Sequence, residues 1–310
     1  MTESIPGTPD FAPSSETREA TSDKPGGYVW QGKSALVIGC GYLGAQLLRE
    51  LTRTGWQATG VTLSESSAEA LNQEGLQVLA ADLRTSDLQV LTKNKPAVII
   101  HCASSGKAGA AAYREIFFET TKRLIKEASF EHLIFTSSTS VYGQTDGSIV
   151  AETDLAEPER ETGKILRETE EIVLARRGTV VRLGGIYGPG RCIPLQKLLS
   201  GEAAIEGSGE RIMNSIHRDD AVSAFCLAAR QNLTGTFNVV DDTPVTQLQW
   251  HQWVCAQLGQ PLPPFVPRDL NRKRGWTSKK VSNQKLRGRG WVLRYPSFRE
   301  GVTELLAQRA

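Results

Sequence analysis

Three glycines close an apolar run in Val37-Ile38-Gly39-Cys40-Gly41-Tyr42-Leu43-Gly44, and they have the GxGxxG spacing of a phosphate cradle. The chemistry is that of backbone. The first glycine permits a tight turn, the second admits a pyrophosphate against the main chain, and the third lets a helix lie close on the strand. The helix N-terminus then offers N–H donors and a partial positive charge to the phosphates. In a chain with 29 glycines the spacing alone is a weak signal. Its context is stronger: an apolar strand precedes it, an amphipathic helix bearing Leu43, Leu47, Leu48 and Leu51 follows, and a second strand ends at Thr62. There the run Gly60-Val61-Thr62-Leu63-Ser64 has no carboxylate to repel a 2′-phosphate and no nearby Lys or Arg to attract one. The expected cofactor is NADP or NAD, with NADP modestly favoured. The third strand ends at Ala81-Asp82, where Asp82 reads either as an adenine-edge contact or as a cap for the next helix.

These groups need a scaffold that gathers strand ends on one edge. Short β-branched runs at 34–39, 57–62, 76–80, 97–101, 132–137 and 179–183 alternate with helical stretches at 42–54, 66–74, 86–93, 109–127 and 158–176. Near-continuous apolar strands joined by helices require a parallel sheet covered on both faces. The expected class is α/β, a Rossmann-type doubly wound parallel sheet with a small C-terminal substrate-binding domain. Residues 1–28 read as a disordered tail, 29–183 as the NAD(P)-binding domain, and 184–310 as mainly substrate-binding, with 218–240 returning to the first domain. In the later part helices are expected near 192–200, 218–230, 246–258 and 297–308, and strands near 211–216 and 236–240.

The charge balance is 36 Lys plus Arg against 34 Asp plus Glu, a net +2 that gives no ground for a nucleic-acid or membrane partner. Five scattered cysteines without CxxC spacing speak against a disulfide framework or a metal site, and Cys40 and Cys102 read as small buried residues. No apolar run spans a bilayer and no signal-peptide order begins the chain, so a reducing cytoplasm is expected.

Six fragments occur together in one order: VIGCGYLG (37–44), AADLR (80–84), VIIHCAS (98–104), TSSTSVYG (136–143), RLGGIYGPGR (182–191) and IHRDDAV (216–222). In these the chain resembles the extended short-chain dehydrogenase/reductases, in their NAD(P)-dependent epimerase/dehydratase branch. FNVVDDTPVT (237–246) and SKKVSNQKLRGRGW (278–291) carry the likeness towards atypical members. The resemblance extends the cofactor-binding set from Gly39, Gly41, Gly44, Thr62 and Asp82 to Tyr42, Leu43, Leu83, Ala103, Ser104, Ser137 and Gly185. It makes Ser138 the hydrogen-bond donor to a substrate oxygen, although Ser138 also reads as a turn hydroxyl. It further implies a Tyr acting as general acid/base, with a Lys four residues later on the same helix.

That pair is missing. Thr162 stands where the Tyr belongs and Leu166 where the Lys belongs, while Lys164 falls on the opposite helix face. Tyr142 is a candidate for proton transfer, but such a tyrosine also serves as a packing wall. Tyr187 reads as a loop-shaping residue beside the nicotinamide, His217 as a helix-entry residue paired with Asp219 or Asp220, and His101 as a satisfied core residue. Met213 lies near the place of an expected diphosphate-binding Arg, with Arg211 two residues earlier.

Between Arg268 and Arg294 stand ten Lys or Arg and one acid. This stretch reads as a solvated basic face, as an anion-binding wall for a phosphorylated or carboxylated substrate, or as a docking strip. Tyr187, Arg191, Arg211, Lys279 and Lys280 are the candidate substrate-binding residues. The expected function is an atypical NAD(P)-dependent oxidoreductase or epimerase/dehydratase-like enzyme acting on a hydroxyl or carbonyl of a small, anionic metabolite. The alternative is a non-catalytic NAD(P)-binding redox sensor or scaffold. The resemblance also admits a homodimer through the helices beside the fourth and fifth strands.

Overall fold

A computed structural model describes residues 33–104, 106, 109–269 and 276–309; the expected tail at 1–28 lies outside them, as do Arg272, Lys273 and Arg274 of the basic stretch. The first half alternates strand and helix: β1 (Ser34–Ile38), α1 (Gly44–Arg53), β2 (Gln57–Thr62), α2 (Glu65–Gln73), β3 (Gln77–Ala80), α3 (Leu88–Leu91) and β4 (Val98–His101). Helix α4 (Ala110–Tyr113) runs through a π-helical turn at Arg114–Glu119 into α5 (Thr120–Glu127). Then come β5 (His132–Ser138), β6 (Ile149–Val150), α6 (Glu161–Ala175), β7 (Thr179–Leu183), β8 (Gly185–Tyr187) and α7 (Ile193–Leu199). The remainder holds β9 (Ile205–Glu206), β10 (Ile212–Met213), β11 (Ser215–His217), α8 (Arg218–Gln231), β12 (Gly235–Val239) and β13 (Val245–Thr246). It closes with α9 (Gln247–Leu258), β14 (Phe265–Val266), β15 (Lys280–Val281), α10 (Gln284–Arg287) and α11 (Phe298–Ala307).

Seven strands form one parallel sheet in the order β12-β7-β5-β4-β1-β2-β3. Successive side chains of a strand point to opposite faces, and both faces are dry. Ala35 and Val37 of β1 pack with Leu47, Leu48 and Leu51 of α1 and with Phe225 of α8. Leu36 and Ile38 of the same strand pack with Phe117, Leu124 and Ile165 on the other side. Each fully buried leucine on α1 contributes about 2 kcal/mol, which is what fixes that helix against the glycine turn. A third cluster joins Leu195, Trp250, Val254, Phe298 and Val302 of α7, α9 and α11.

Several boundaries depart from expectation for local reasons. The strand expected at 211–216 is two strands: β10 pairs with β13 and β11 with β8. Helix α6 begins at Glu161, and its N-cap Arg160 is still extended, at φ −79° and ψ 141°. The helix expected at 86–93 shrinks to four residues, ending before Lys95 turns left-handed at φ 44°. Among the described residues no helix is long and apolar enough to cross a membrane.

Candidate active site

A cleft of about 1250 Å³ follows the carboxyl ends of the sheet strands, from Thr62 and Asp82 past Gly41 and Ser138 to Arg211 and Lys279. Its floor is the glycine turn. A Cβ at Gly39, where φ is 87°, would fall 2.4 Å from Ala103 Cα, and one at Gly44 would fall 2.2 Å from the Gly39 carbonyl oxygen. A Cβ at Gly41 would meet nothing within 4 Å. The turn is thus closed against the protein and open to the cleft, with the first turn of α1 behind it, which fits a pyrophosphate. Tyr42 and Leu43 line the cleft here, and the Tyr42 ring carries the Arg191 and Arg218 guanidinium groups at 5.3 and 5.4 Å.

Thr62, Asp82 and Leu83 line the end of the cleft beyond the turn, together with Arg84, which the sequence reading passed over. Arg84 donates to Asp82 at 2.7 Å, and this pairing holds the Asp82 carboxyl below its usual range. Asp82 Oδ1 also accepts the Arg84 backbone N–H at 3.0 Å, a local turn contact, whereas the cap of the next helix, α3, is Asp87 rather than Asp82. Ala103 and Ser104 line the wall facing the turn, and Gly185 lines the opposite side with its N–H donated to the Asn214 carbonyl at 2.8 Å.

Ser137 and Ser138 stand at the end of β5 on the cleft. Ser138 Oγ accepts the Ser140 N–H at 3.2 Å, capping a short 3₁₀ turn, so its own O–H remains to be given to a ligand. Ser137 donates to Glu170 at 2.5 Å. Glu170 is fully buried on α6 and accepts from Arg182 at 2.6 and 3.0 Å and from Arg167. The Arg182 guanidinium lies 4.8 Å from the Tyr142 ring centre.

Two candidates for the chemistry fall outside the cleft. Tyr142 is 0% exposed and its hydroxyl is directed to Asn238 Oδ1 at 2.9 Å and the Ala151 carbonyl at 3.0 Å. Burial raises its phenol, so it serves as a wall and cannot reach a substrate in this arrangement. Thr162 lines a separate small cavity with Ser140, Pro158, Trp276 and Thr277. Leu166 does line the main cleft and Lys164 is exposed, as the helix register requires.

On the substrate side Tyr187, Arg191, Arg211 and Lys279 line the cleft, joined by Lys197, Asn214 and Thr277, which the sequence reading missed. Lys280 does not: it is exposed on β15, because adjacent strand residues face opposite ways. Arg211 Nε is buried without a hydrogen-bond partner, and among the described residues no carboxylate forms an ion pair with Arg211. Tyr187 donates to the Ser297 carbonyl at 3.4 Å, and burial raises its phenol far out of reach of ionisation.

Three remaining groups are quickly placed. His217 caps α8 through Nδ1, accepting the Asp219 N–H at 3.2 Å, and burial lowers it to about 4. His101 is buried between Phe117 and Phe135 and lowered to about 4, yet among the described residues neither ring nitrogen has a hydrogen-bond partner, contrary to a satisfied core residue. Burial pushes the Cys40 and Cys102 thiols up to about 11 and about 12, where neither is a nucleophile.

A parallel sheet with this turn, open at Gly41 and facing a cleft at the strand ends, defines a Rossmann-type dinucleotide-binding protein. The chain belongs to the NAD-dependent epimerase/dehydratase family, whose model matches residues 35–239. It is 30% identical over 207 residues to Protein YeeZ of Escherichia coli strain K12, covering 63% of this chain and 72% of that protein. It is 31% identical over 157 residues to a 3-diazoavenalumate denitrifying reductase from Streptomyces, covering 46% of this chain and 52% of that protein. The solved structure of a functionally unknown conserved protein from Silicibacter pomeroyi superposes with a TM-score of 0.72 at 26% identity, covering 89% of this chain and 99% of that one.

Proposed function

We propose that this chain is an NADP(H)-preferring oxidoreductase or epimerase/dehydratase-like enzyme acting on a hydroxyl or carbonyl group of a small anionic metabolite. The observation that carries the reading is Arg211, a cation with a buried, unpartnered Nε on the wall of the same cleft that holds the open glycine turn. A guanidinium whose Nε is buried without a partner is costly, and a carboxylate or phosphate on the substrate relieves that cost through paired hydrogen bonds. Lys197 and Arg191 add positive charge on that side.

When bound, the nicotinamide supplies or accepts a hydride. The protein's own share is orientation. Gly41 and the first turn of α1 hold the pyrophosphate, Ser138 gives its hydrogen bond to the substrate oxygen, and Arg211 fixes the far anionic end. The preference for NADP rests on the absence of an acid at Thr62 and Leu63 and on the Arg84 guanidinium at that end of the cleft. A location in the cytoplasm agrees with five free cysteines.

The test is titration with NADPH and NADH, read by energy transfer from tryptophan, beside a Gly41→Asp variant. NADPH is expected to bind more tightly than NADH. Gly41→Asp, which adds a carboxylate where the phosphates lie, should weaken binding more than fiftyfold. Failure of both nucleotides to bind the wild-type protein would sink the reading.

A further inference from the structure

The Thr162 position on α6, where the resemblance implies a tyrosine, is covered by another segment. Thr277 and Ser140 line both the small cavity at Thr162 and the main cleft, so the stretch 276–279 lies over the Thr162 position and delivers a side chain beyond it. That side chain is Lys279. It is 4% exposed, lines the cleft, and is held at Nζ by two oxygens, the Tyr142 carbonyl at 2.8 Å and Thr277 Oγ1 at 2.8 Å. An ammonium has three N–H bonds, so one remains for a ligand. Ser138, at the start of the same β5–3₁₀ turn that ends at Tyr142, lines the cleft as well.

Resting on the reading of the cleft given above, we infer that Lys279 is the group that exchanges a proton with the substrate oxygen. In the reducing direction the C=O π pair moves to oxygen as the carbonyl carbon takes a hydride from the reduced nicotinamide. An N–H bond of the Lys279 ammonium breaks, its proton forms the new O–H bond, and the neutral amine is recharged by water. In the oxidising direction the neutral amine takes the hydroxyl proton as hydride leaves the carbon for the oxidised nicotinamide.

The electrostatic setting agrees with this use. Burial, and secondarily the nearby Arg211 charge, pull the Lys279 ammonium down to about 8. Both charged and neutral forms are then populated near neutrality, which a proton carrier needs. The other charged side chains on this part of the cleft are Glu206, Asp269, Arg191 and Lys197.

Two arms test the assignment. In the first, NADPH binding and NADPH oxidation with a panel of small 2-oxo acids and aldehydes are compared in wild type, Lys279→Met and Lys279→Arg. Arginine keeps the positive charge but holds its proton throughout the working range. The expected result is a loss of kcat of about a hundredfold or more in both variants, with NADPH affinity within about twofold of wild type. Retention of kcat by Lys279→Arg would make Lys279 a charge only and overturn the role.

The second arm is competitive acetylation of the wild-type protein across pH, read peptide by peptide. Lys279 should titrate near 8 and lose reactivity when NADP⁺ and an inert carboxylate, acetate, fill the cleft. Titration with the surface lysines near 10.4 overturns the role, and this arm decides should the panel give no turnover. Loss of the reading beneath it looks different: wild-type protein that binds neither NADPH nor NADH removes both.

Discussion

At the scale of single residues, Glu170 is the most constrained side chain near the site. It is 0% exposed and neutralises Arg182, itself 3% exposed, while accepting the Ser137 hydroxyl. Removing one charge from such a pair leaves the other buried and unmatched, which costs far more than the pair itself contributes. Glu170→Gln, nearly isosteric, is therefore expected to lower unfolding stability by about 3–5 kcal/mol, read as a shift in the urea midpoint. Retention of the wild-type midpoint would mean that Arg182 finds another partner. Ser137 would also lose its charged acceptor, so the strand end beside Ser138 should loosen with it.

At the scale of elements, α11 connects the C-terminal part to the cleft. A Cβ at Gly301 would fall 2.4 Å from the Tyr187 hydroxyl, so the helix and the cleft wall touch directly at a glycine. Gly301→Ala should push Tyr187 into the cleft, cost about 1–3 kcal/mol in thermal unfolding, and weaken substrate turnover while sparing NADPH affinity. An unchanged melting temperature would show that α11 can shift outward freely. This contact was beyond reach of the sequence, which indicates a helix near 297–308 but not its neighbour. Elements of the sheet were legible because strand and helix periodicities are local and each glycine of the turn has a distinct steric duty. The short pairs β6–β15, β8–β11 and β9–β14, of two or three residues, were not, since their partners are distant in sequence and too short to show alternation. Burial also decides chemistry in a way that residue type does not. Tyr142 has the right hydroxyl and spacing, but its ring is sealed under Arg182, whereas Lys279, read from sequence as a substrate-binding candidate within a basic stretch, is carried into the cleft by a loop.

At the scale of the whole molecule, acid stability carries the mark of buried imidazole. His101 is lowered from 6.5 to about 4 by burial. Between those values the unfolded chain binds a proton that the native fold refuses, so stability falls as pH drops through the window. Asp241, whose carboxyl is raised by burial, acts in the opposite sense, because the native state holds a proton there before the unfolded one does. His101→Phe, which fits the stack on Phe135, should lose less stability than wild type between pH 6.5 and 4.5 in paired denaturant titrations. Equal slopes would place the acid sensitivity elsewhere. The basic stretch gives no single strip among the described residues: Arg268 stacks on Trp276, Lys285 donates to the Thr236 carbonyl, and Arg287 and Arg294 pair with Asp242 and Glu304.

The dependence of the cleft on α11 also bears on how the protein is made. The glycine turn and the strands around it are synthesised before α11, and they can gather a nucleotide-binding floor as they leave the ribosome. Phe298 and Val302, which also line the cleft, emerge well after the glycine turn. A nascent chain paused before Phe298 would thus have its glycine turn without these lining residues, so the complete pocket forms only once α11 has been made.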